Sequence, residues 1–66
     1  MDLLLNGEPR TLPSGATVDD AVDAVAEDRA GVAVAVNEEV VPRSAWPTTT
    51  LNAADRVEIL TAAQGG

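Results

Sequence analysis

The 66-residue sequence contains no cysteine and no histidine. Without cysteine there can be no disulfide, and without either residue type a zinc site of the ordinary kind is excluded. A thiol nucleophile and an imidazole general base are excluded for the same reason. Because nothing in this composition favours secretion, we expect a cytoplasmic protein.

Basic residues are also scarce, with four arginines and no lysine against eleven acidic residues, for a formal net charge of -7. Nucleic acid and anionic membranes need clustered Lys and Arg, so neither is an expected partner. No apolar run approaches the roughly 18 residues of a membrane span, and residues 1–5 lack the pattern of a signal peptide. The acidic surface suits solubility and steering towards a basic protein partner.

The first half of the chain predicts a β-hairpin followed by an amphipathic helix. The hairpin joins strands at 2–6 and 8–12 through Asn6-Gly7, because both residues tolerate the positive φ of a type I′ turn. Thr17 and Asp20 form a short capping box that marks the start of the helix, and Gly31 is expected to close it. The apolar stripe of this helix is Val18, Ala21, Val22 and Val25.

The second half predicts short strands around one buried aromatic residue. Residues 32–36 alternate valine and alanine, so the valines share one face of a strand and the alanines share the other. A turn at 37–39 and a short strand at 40–41 follow, and Ser44 is expected to cap a single helical turn. Trp46 is the only aromatic residue, and it is expected to fill the core rather than to stack on a ligand, with Leu51 as a second anchor.

A last strand is predicted at 56–62, with Val57 and Ile59 facing inward and Glu58, Leu60 and Ala62 facing outward. Parallel pairing of the first and last strands would place this strand in the middle of a mixed sheet packed on the helix. We therefore expect an α+β roll of the β-grasp (ubiquitin-like) class at residues 1–62. A flexible, reactive tail is expected at 63–66.

The chemistry is predicted at Gly65-Gly66, because enzyme motifs are nearly absent. There is no phosphate loop and no dinucleotide fingerprint, and the carboxylate pairs at 19–20 and 38–39 are typical of solvated surfaces. Glycine has no Cβ, so a diglycine backbone can enter a narrow channel and present the Gly66 carboxylate for activation. Adenylation with ATP bound by a partner, followed by sulfur attack, would give a thiocarboxylate. A flexible terminus without chemistry is the alternative.

Several stretches spread over the whole chain carry a resemblance to a known family. They are Leu5-Asn6-Gly7, Ala16-Thr17-Val18, Ala35-Val36-Asn37, Val40-Val41-Pro42-Arg43, Trp46, Asp55-Arg56-Val57-Glu58-Ile59 and Gly65-Gly66. Together they resemble the ThiS family, the ubiquitin-like sulfur carriers of bacterial thiamine biosynthesis. Residues 36–43 followed by Trp46 are the specific part, since a diglycine occurs in every ubiquitin-like carrier.

The resemblance implies a sulfur carrier rather than an enzyme. Its expected partners are an adenylating enzyme of the E1-like ThiF family, a sulfur donor protein and a thiazole synthase. The adenylating enzyme would use MgATP to form an acyl-adenylate at Gly66, and the thiazole synthase would take sulfur from the resulting thiocarboxylate. No cofactor is expected on this chain itself, and the free chain is expected to be a monomer.

Two sets of residues are expected to meet these partners. Gly66 would carry the reactive carboxylate. Gly65 would keep the C-terminal arm, residues 63–66, slender enough to enter both partner sites. The expected partner-binding residues lie on or just after the outward face of the last strand: Leu60, Ala62, Ala63 and Gln64. A singly exposed leucine without function is the alternative for Leu60.

The sequence departs from the family before the last strand and leaves other functions open. Family members often have Asp-Gly-Asp there, whereas residues 52–55 read Asn-Ala-Ala-Asp, so a different turn type is expected.

Three alternative functions stay open. One is the small subunit of molybdopterin synthase, a related sulfur carrier, but Pro42-Arg43 and Trp46 favour the carriers of thiamine biosynthesis over it. The others are a protein modifier that forms isopeptide bonds and an acidic inhibitory or DNA-mimicking protein.

Overall fold

A computed structural model describes residues 1–61, which form a five-stranded mixed sheet and one α-helix. The elements are β1 (Asp2–Leu5), β2 (Glu8–Thr11), α1 (Val18–Val25), β3 (Val32–Val36), β4 (Glu39–Val41), a 3-10 helix (Arg43–Thr48) and β5 (Arg56–Thr61). The strand order is β2-β1-β5-β3-β4. β5 runs parallel to β1 and antiparallel to β3. The predicted β-grasp sheet, with its first and last strands paired in parallel, is confirmed.

Both hairpins of the sheet turn through an asparagine. Asn6 and Gly7 connect β1 to β2 with φ angles of 53° and 81°, the left-handed pair that a type I′ turn requires. Asn37 and Glu38 connect β3 to β4 with φ angles of 51° and 72°. The hairpin predicted at Asn6-Gly7 is therefore confirmed. The turn predicted at 37–39 is confirmed at Asn37 and Glu38, whereas Glu39 already belongs to β4.

Helix α1 begins as predicted and ends earlier than predicted. The Asp20 N–H donates to the Thr17 hydroxyl at 3.3 Å, and the Thr17 N–H donates to the Asp20 carboxylate at 2.9 Å, which completes the capping box. The helix ends at Val25, which is 38% exposed, so the expected closure at Gly31 is wrong. Side chains hold residues 26–31 as a loop instead, since Asp28 accepts the Ala30 N–H at 2.9 Å.

The core lies between α1, the 3-10 helix and the inner face of the sheet. Trp46 is 2% exposed, and its indole N–H donates to the Val41 carbonyl at 2.9 Å. Its predicted role in packing is confirmed, as is that of Leu51. The 3-10 helix starts after Pro42 without a side-chain cap, so the cap expected at Ser44 is wrong. The buried core cluster is Leu3, Leu5, Val18, Ala21, Val22, Val34, Trp46, Leu51, Val57 and Ile59.

The turn before β5 holds an alanine in a glycine-like conformation. Ala54 has a φ of 70°, and the Asp55 N–H donates to the Asn52 carbonyl at 3.2 Å. A positive φ at the third residue alone is typical of a type II turn, where glycine is favoured. Residue 54 is alanine rather than glycine, so the backbone strain of this turn falls on Ala54.

We expect Ala54→Gly to raise the free energy of unfolding by about 0.5–1 kcal/mol, because relief of left-handed strain exceeds the added entropy of the unfolded chain. Ala53→Gly is the matched control in the same turn, at a residue without a positive φ. It should lower stability by roughly 0.5 kcal/mol. Urea denaturation followed by far-UV circular dichroism measures both variants. Equal effects from the two glycines would contradict the strain at Ala54.

Candidate docking face and diglycine arm

β5 is the strand that leads to the diglycine, and its two sides are paired over different lengths. On one side Leu4 lies opposite Arg56 and Leu5 opposite Val57, where β1 ends. On the other side β3 pairs along β5 as far as Thr61. From residue 58 onward, β5 therefore pairs with β3 on one side and extends beyond the end of β1 on the other.

The two faces of β5 differ as predicted. Val57 and Ile59 are 1% and 3% exposed and pack in the core. Leu60 is 67% exposed on the opposite face, which it shares with Glu58 because side chains alternate along a strand. The outward position predicted for Leu60 is confirmed. Ala62, predicted to share this face, lies outside the described residues.

Leu60 is not isolated, because small and apolar residues of β3 and β4 lie beside it. Leu60 is opposite Ala33, and Ala35 is opposite Val40 in the next strand pair. Directly opposed residues lie on one face of a sheet, and Ala33 and Ala35 share a face by alternation. Val40 is 79% exposed. Ala33 is exposed and Ala35 is half-buried. We call Ala33, Ala35, Val40 and Leu60 the docking face, as a candidate interaction site, because neighbouring apolar side chains at a protein surface are typical of such sites.

Sequence reasoning found only Leu60 of these four residues. The alternation of residues 32–36 already placed Ala33 and Ala35 together, but not beside Leu60. The link between β3 and β5 depends on the register Ala33–Leu60, and the link to β4 on the register Ala35–Val40. Neither register follows from local pattern, so Val40 in particular was missed.

Charged side chains lie at one end of the docking face. Glu58 is opposite Ala35, and it lines a cavity of about 130 Å³ together with Glu38 and Arg56. Glu58, predicted to face outward, interrupts the apolar character of this face. The carboxylates favour a partner with basic residues around an apolar centre, in keeping with the net charge of -7.

The predicted arm and most of the partner-binding residues lie outside the described residues. These are Ala62, Ala63, Gln64, Gly65 and Gly66. Five residues follow Thr61, and five extended residues span at most about 17 Å. Within residues 1–61, no three or more acidic side chains are grouped so that they could hold a metal ion. No helix in that part of the chain is long and apolar enough to cross a membrane.

Comparisons with known proteins point to one family. The ThiS family model matches residues 3–66. A sulfur carrier protein ThiS of Thermus thermophilus is 39% identical over 62 residues, which cover 94% of this chain and 95% of that protein. The crystal structure of a thiamine biosynthesis protein (ThiS) from Geobacter metallireducens superposes with a TM-score of 0.80 at 35% identity, covering 100% of both chains.

A longer protein also contains a segment similar to this chain. A thiazole synthase of Paramagnetospirillum magneticum is 35% identical over all 66 residues. The chain spans only 20% of the length of that relative. The similarity therefore concerns a carrier-sized part of the thiazole synthase rather than the whole protein.

Proposed function

The chain belongs to the ThiS family, and from this membership we propose that it is a sulfur carrier of thiamine biosynthesis that works through a Gly66 thiocarboxylate. The observation that carries the proposal is the family match over residues 3–66, which includes Gly65 and Gly66. The β-grasp sheet supports it, because its central strand β5 leads directly towards those residues.

The proposed chemistry begins with a carboxylate that is a poor electrophile. One Gly66 carboxylate oxygen attacks the α-phosphorus of ATP, which forms the acyl-adenylate and releases pyrophosphate. The terminal sulfur of a donor persulfide then displaces AMP, which gives an acyl disulfide. A second thiol attacks the donor sulfur of that disulfide, so the Gly66 thiocarboxylate leaves and the thiol and the donor are left joined as a disulfide. This chain supplies the carboxylate and a docking surface, while the partner enzyme binds ATP and Mg²⁺. The absence of a Cβ at Gly65 and Gly66 lets the backbone approach the phosphates closely.

We assign the docking face to the adenylating enzyme, of the E1-like ThiF type. Leu60 lies one residue before the end of β5. Even when the chain between them is fully extended, Gly66 lies at most about 20 Å from Leu60, so an enzyme that binds Leu60 also has Gly66 nearby. The apolar centre with carboxylates at one end fits a partner surface with basic residues around an apolar patch. Adenylation is measured as carrier-dependent release of pyrophosphate, and its absence with a competent enzyme would contradict the proposal.

Leu60→Ala should lower kcat/KM for adenylation by about tenfold, because an exposed leucine in an apolar docking centre is a typical hot spot. Val25→Ala is the matched control, since Val25 is also an exposed apolar residue but lies at the end of α1, away from the docking face. It should change kcat/KM by less than about twofold. Pyrophosphate release at varied carrier concentration measures both variants. If Leu60→Ala and the unchanged chain have equal kcat/KM, Leu60 does not contact the adenylating enzyme.

A thiazole synthase is the proposed acceptor of the sulfur. The support is the carrier-sized segment found in the Paramagnetospirillum magneticum thiazole synthase. The thiocarboxylate form should therefore donate sulfur to a thiazole synthase and not to the large subunit of molybdopterin synthase. Transfer to molybdopterin synthase alone would favour the alternative carrier function, and isopeptide attachment to lysines would favour a protein modifier.

A further inference from the structure

The side chain of Asn6 continues the pairing of β5 after β1 has ended. The Asn6 N–H donates to the Val57 carbonyl at 2.8 Å, as a residue of a parallel ladder does. The backbone then turns away through Gly7 into β2. The Ile59 N–H donates to Oδ1 of Asn6 at 2.8 Å, and Nδ2 of Asn6 donates to the Ile59 carbonyl at 3.1 Å. One side-chain amide thus bonds both backbone groups of Ile59.

These two bonds replace what a longer β1 would supply. In a continued parallel ladder, both backbone groups of Ile59 would bond to the neighbouring strand. The amide of Asn6 has a carbonyl oxygen and an NH₂ group in the same relative arrangement as a peptide, so it can bond to both. Asn6 also has a φ of 53°, a conformation that asparagine adopts more readily than most residues.

A second asparagine, Asn37, also makes two side-chain hydrogen bonds at the opposite end of β5, one to a backbone group and one to a carboxylate. Its φ is 51°, its Oδ1 accepts the Arg56 N–H at 3.0 Å, and its Nδ2 donates to the Asp55 carboxylate at 3.0 Å. The two side chains have the same turn position and the same number of hydrogen bonds. They differ in that Asn37 holds the start of β5, whereas Asn6 holds the end that leads to the arm.

We propose that Asn6 is a positioning residue for the reaction at Gly66: its amide fixes Ile59, and with it the orientation of Leu60 and the direction in which the chain leaves Thr61. The inference rests on the proposed function. Without the Asn6 side chain, this end of β5 is held by its pairing with β3 alone among the described residues. A shift in direction there displaces Leu60 of the docking face and the point at Thr61 from which the chain continues to Gly66.

The test compares Asn6→Gly with Asn37→Gly. Glycine adopts a positive φ without strain, so each variant loses two side-chain hydrogen bonds and keeps its turn. Both are assayed for pyrophosphate release with the adenylating enzyme, at a temperature where circular dichroism shows them folded. We expect kcat/KM to fall about tenfold for Asn6→Gly and less than about twofold for Asn37→Gly, because small misplacements of a reacting group cost large factors in rate.

Amide hydrogen exchange provides a second readout that general destabilisation would not reproduce. The amide of Leu60, which pairs with Ala33 of β3, should exchange faster in Asn6→Gly than in Asn37→Gly at equal global stability. If Asn6→Gly does not fold, Asn6→Asp replaces it, with Asn37→Asp as the control. This variant keeps the acceptor for the Ile59 N–H and loses the donor to its carbonyl, and it should still show a lower kcat/KM.

The possible results separate the positioning role from the proposed function. If the unchanged chain is adenylated and the two variants lose equal amounts of kcat/KM, or neither loses any, Asn6 does not position the arm. If the unchanged chain is not adenylated by an enzyme that converts a control carrier, the proposed function fails and this inference with it. A loss confined to the Asn6 variant supports both.

Discussion

Deleting Gly65 and Gly66 is expected to abolish adenylation and thiocarboxylate formation while leaving the fold intact. The truncated chain ends in Gln64, which moves the carboxylate back by about 7 Å and places a side chain beside it. A displacement of that size takes the reacting group out of any site built for the full arm, so we expect a loss of at least about 10³-fold. Within residues 1–61 the last member of the buried core is Ile59, and we expect stability to change by less than about 0.5 kcal/mol.

Intact mass spectrometry measures thiocarboxylate formation by the truncated chain, and thermal unfolding measures its stability. Arg10→Ala is the control, because it changes one exposed side chain of β2, at the edge of the sheet away from the docking face, and keeps the length of the chain and its diglycine. It should react at a rate within about threefold of the unchanged chain. A truncated chain that still gains sulfur would mean that Gly66 is not the reacting residue.

The second large effect concerns stability, and it is expected for Trp46→Ala. Trp46 is 2% exposed, and its indole N–H bonds to the Val41 carbonyl at 2.9 Å. Replacing a buried tryptophan by alanine costs about 3–5 kcal/mol. A domain of this size has a total stability of only about 3–10 kcal/mol. The variant should therefore be largely unfolded or melt at a much lower temperature.

Trp46→Phe is the matched control for Trp46→Ala. It keeps an aromatic ring in the core and loses the hydrogen bond, so it should lose about 1–2 kcal/mol and remain folded. Urea denaturation followed by far-UV circular dichroism measures both, since the fluorescence of the only tryptophan is lost in each. Adenylation of the phenylalanine variant should be close to normal. Equal stability of the two variants would contradict the packing role and would reopen a surface function for Trp46.

The parts of the fold that depend on short-range pattern could be predicted from the sequence. Asn6-Gly7 turns the first hairpin and Thr17 caps the helix, because both signals act over a few residues. The helix end could not be predicted, since Gly31 is a suitable terminator but the loop before it is held by contacts between side chains. Arg29, for example, bonds to the carboxylates of Asp19 and Asp23.

The candidate site was predicted where it depends on alternation and missed where it depends on register. Leu60 faces outward because Val57 and Ile59 face inward, which the pattern shows. Val40 joins the docking face only through its register with Ala35. Asn6 was interpreted as a turn residue alone, because its contact with Ile59 spans 53 residues of sequence and leaves no local signal.

The most direct measurement is the intact mass of the unchanged chain after incubation with a ThiF-type adenylating enzyme, MgATP and a sulfur donor. Replacement of one carboxylate oxygen by sulfur should add about 16 Da, and fragmentation should place the increase at Gly66. Omission of ATP should prevent it. An unchanged mass in a mixture that converts a control carrier, or an increase located elsewhere in the chain, would contradict the carrier function.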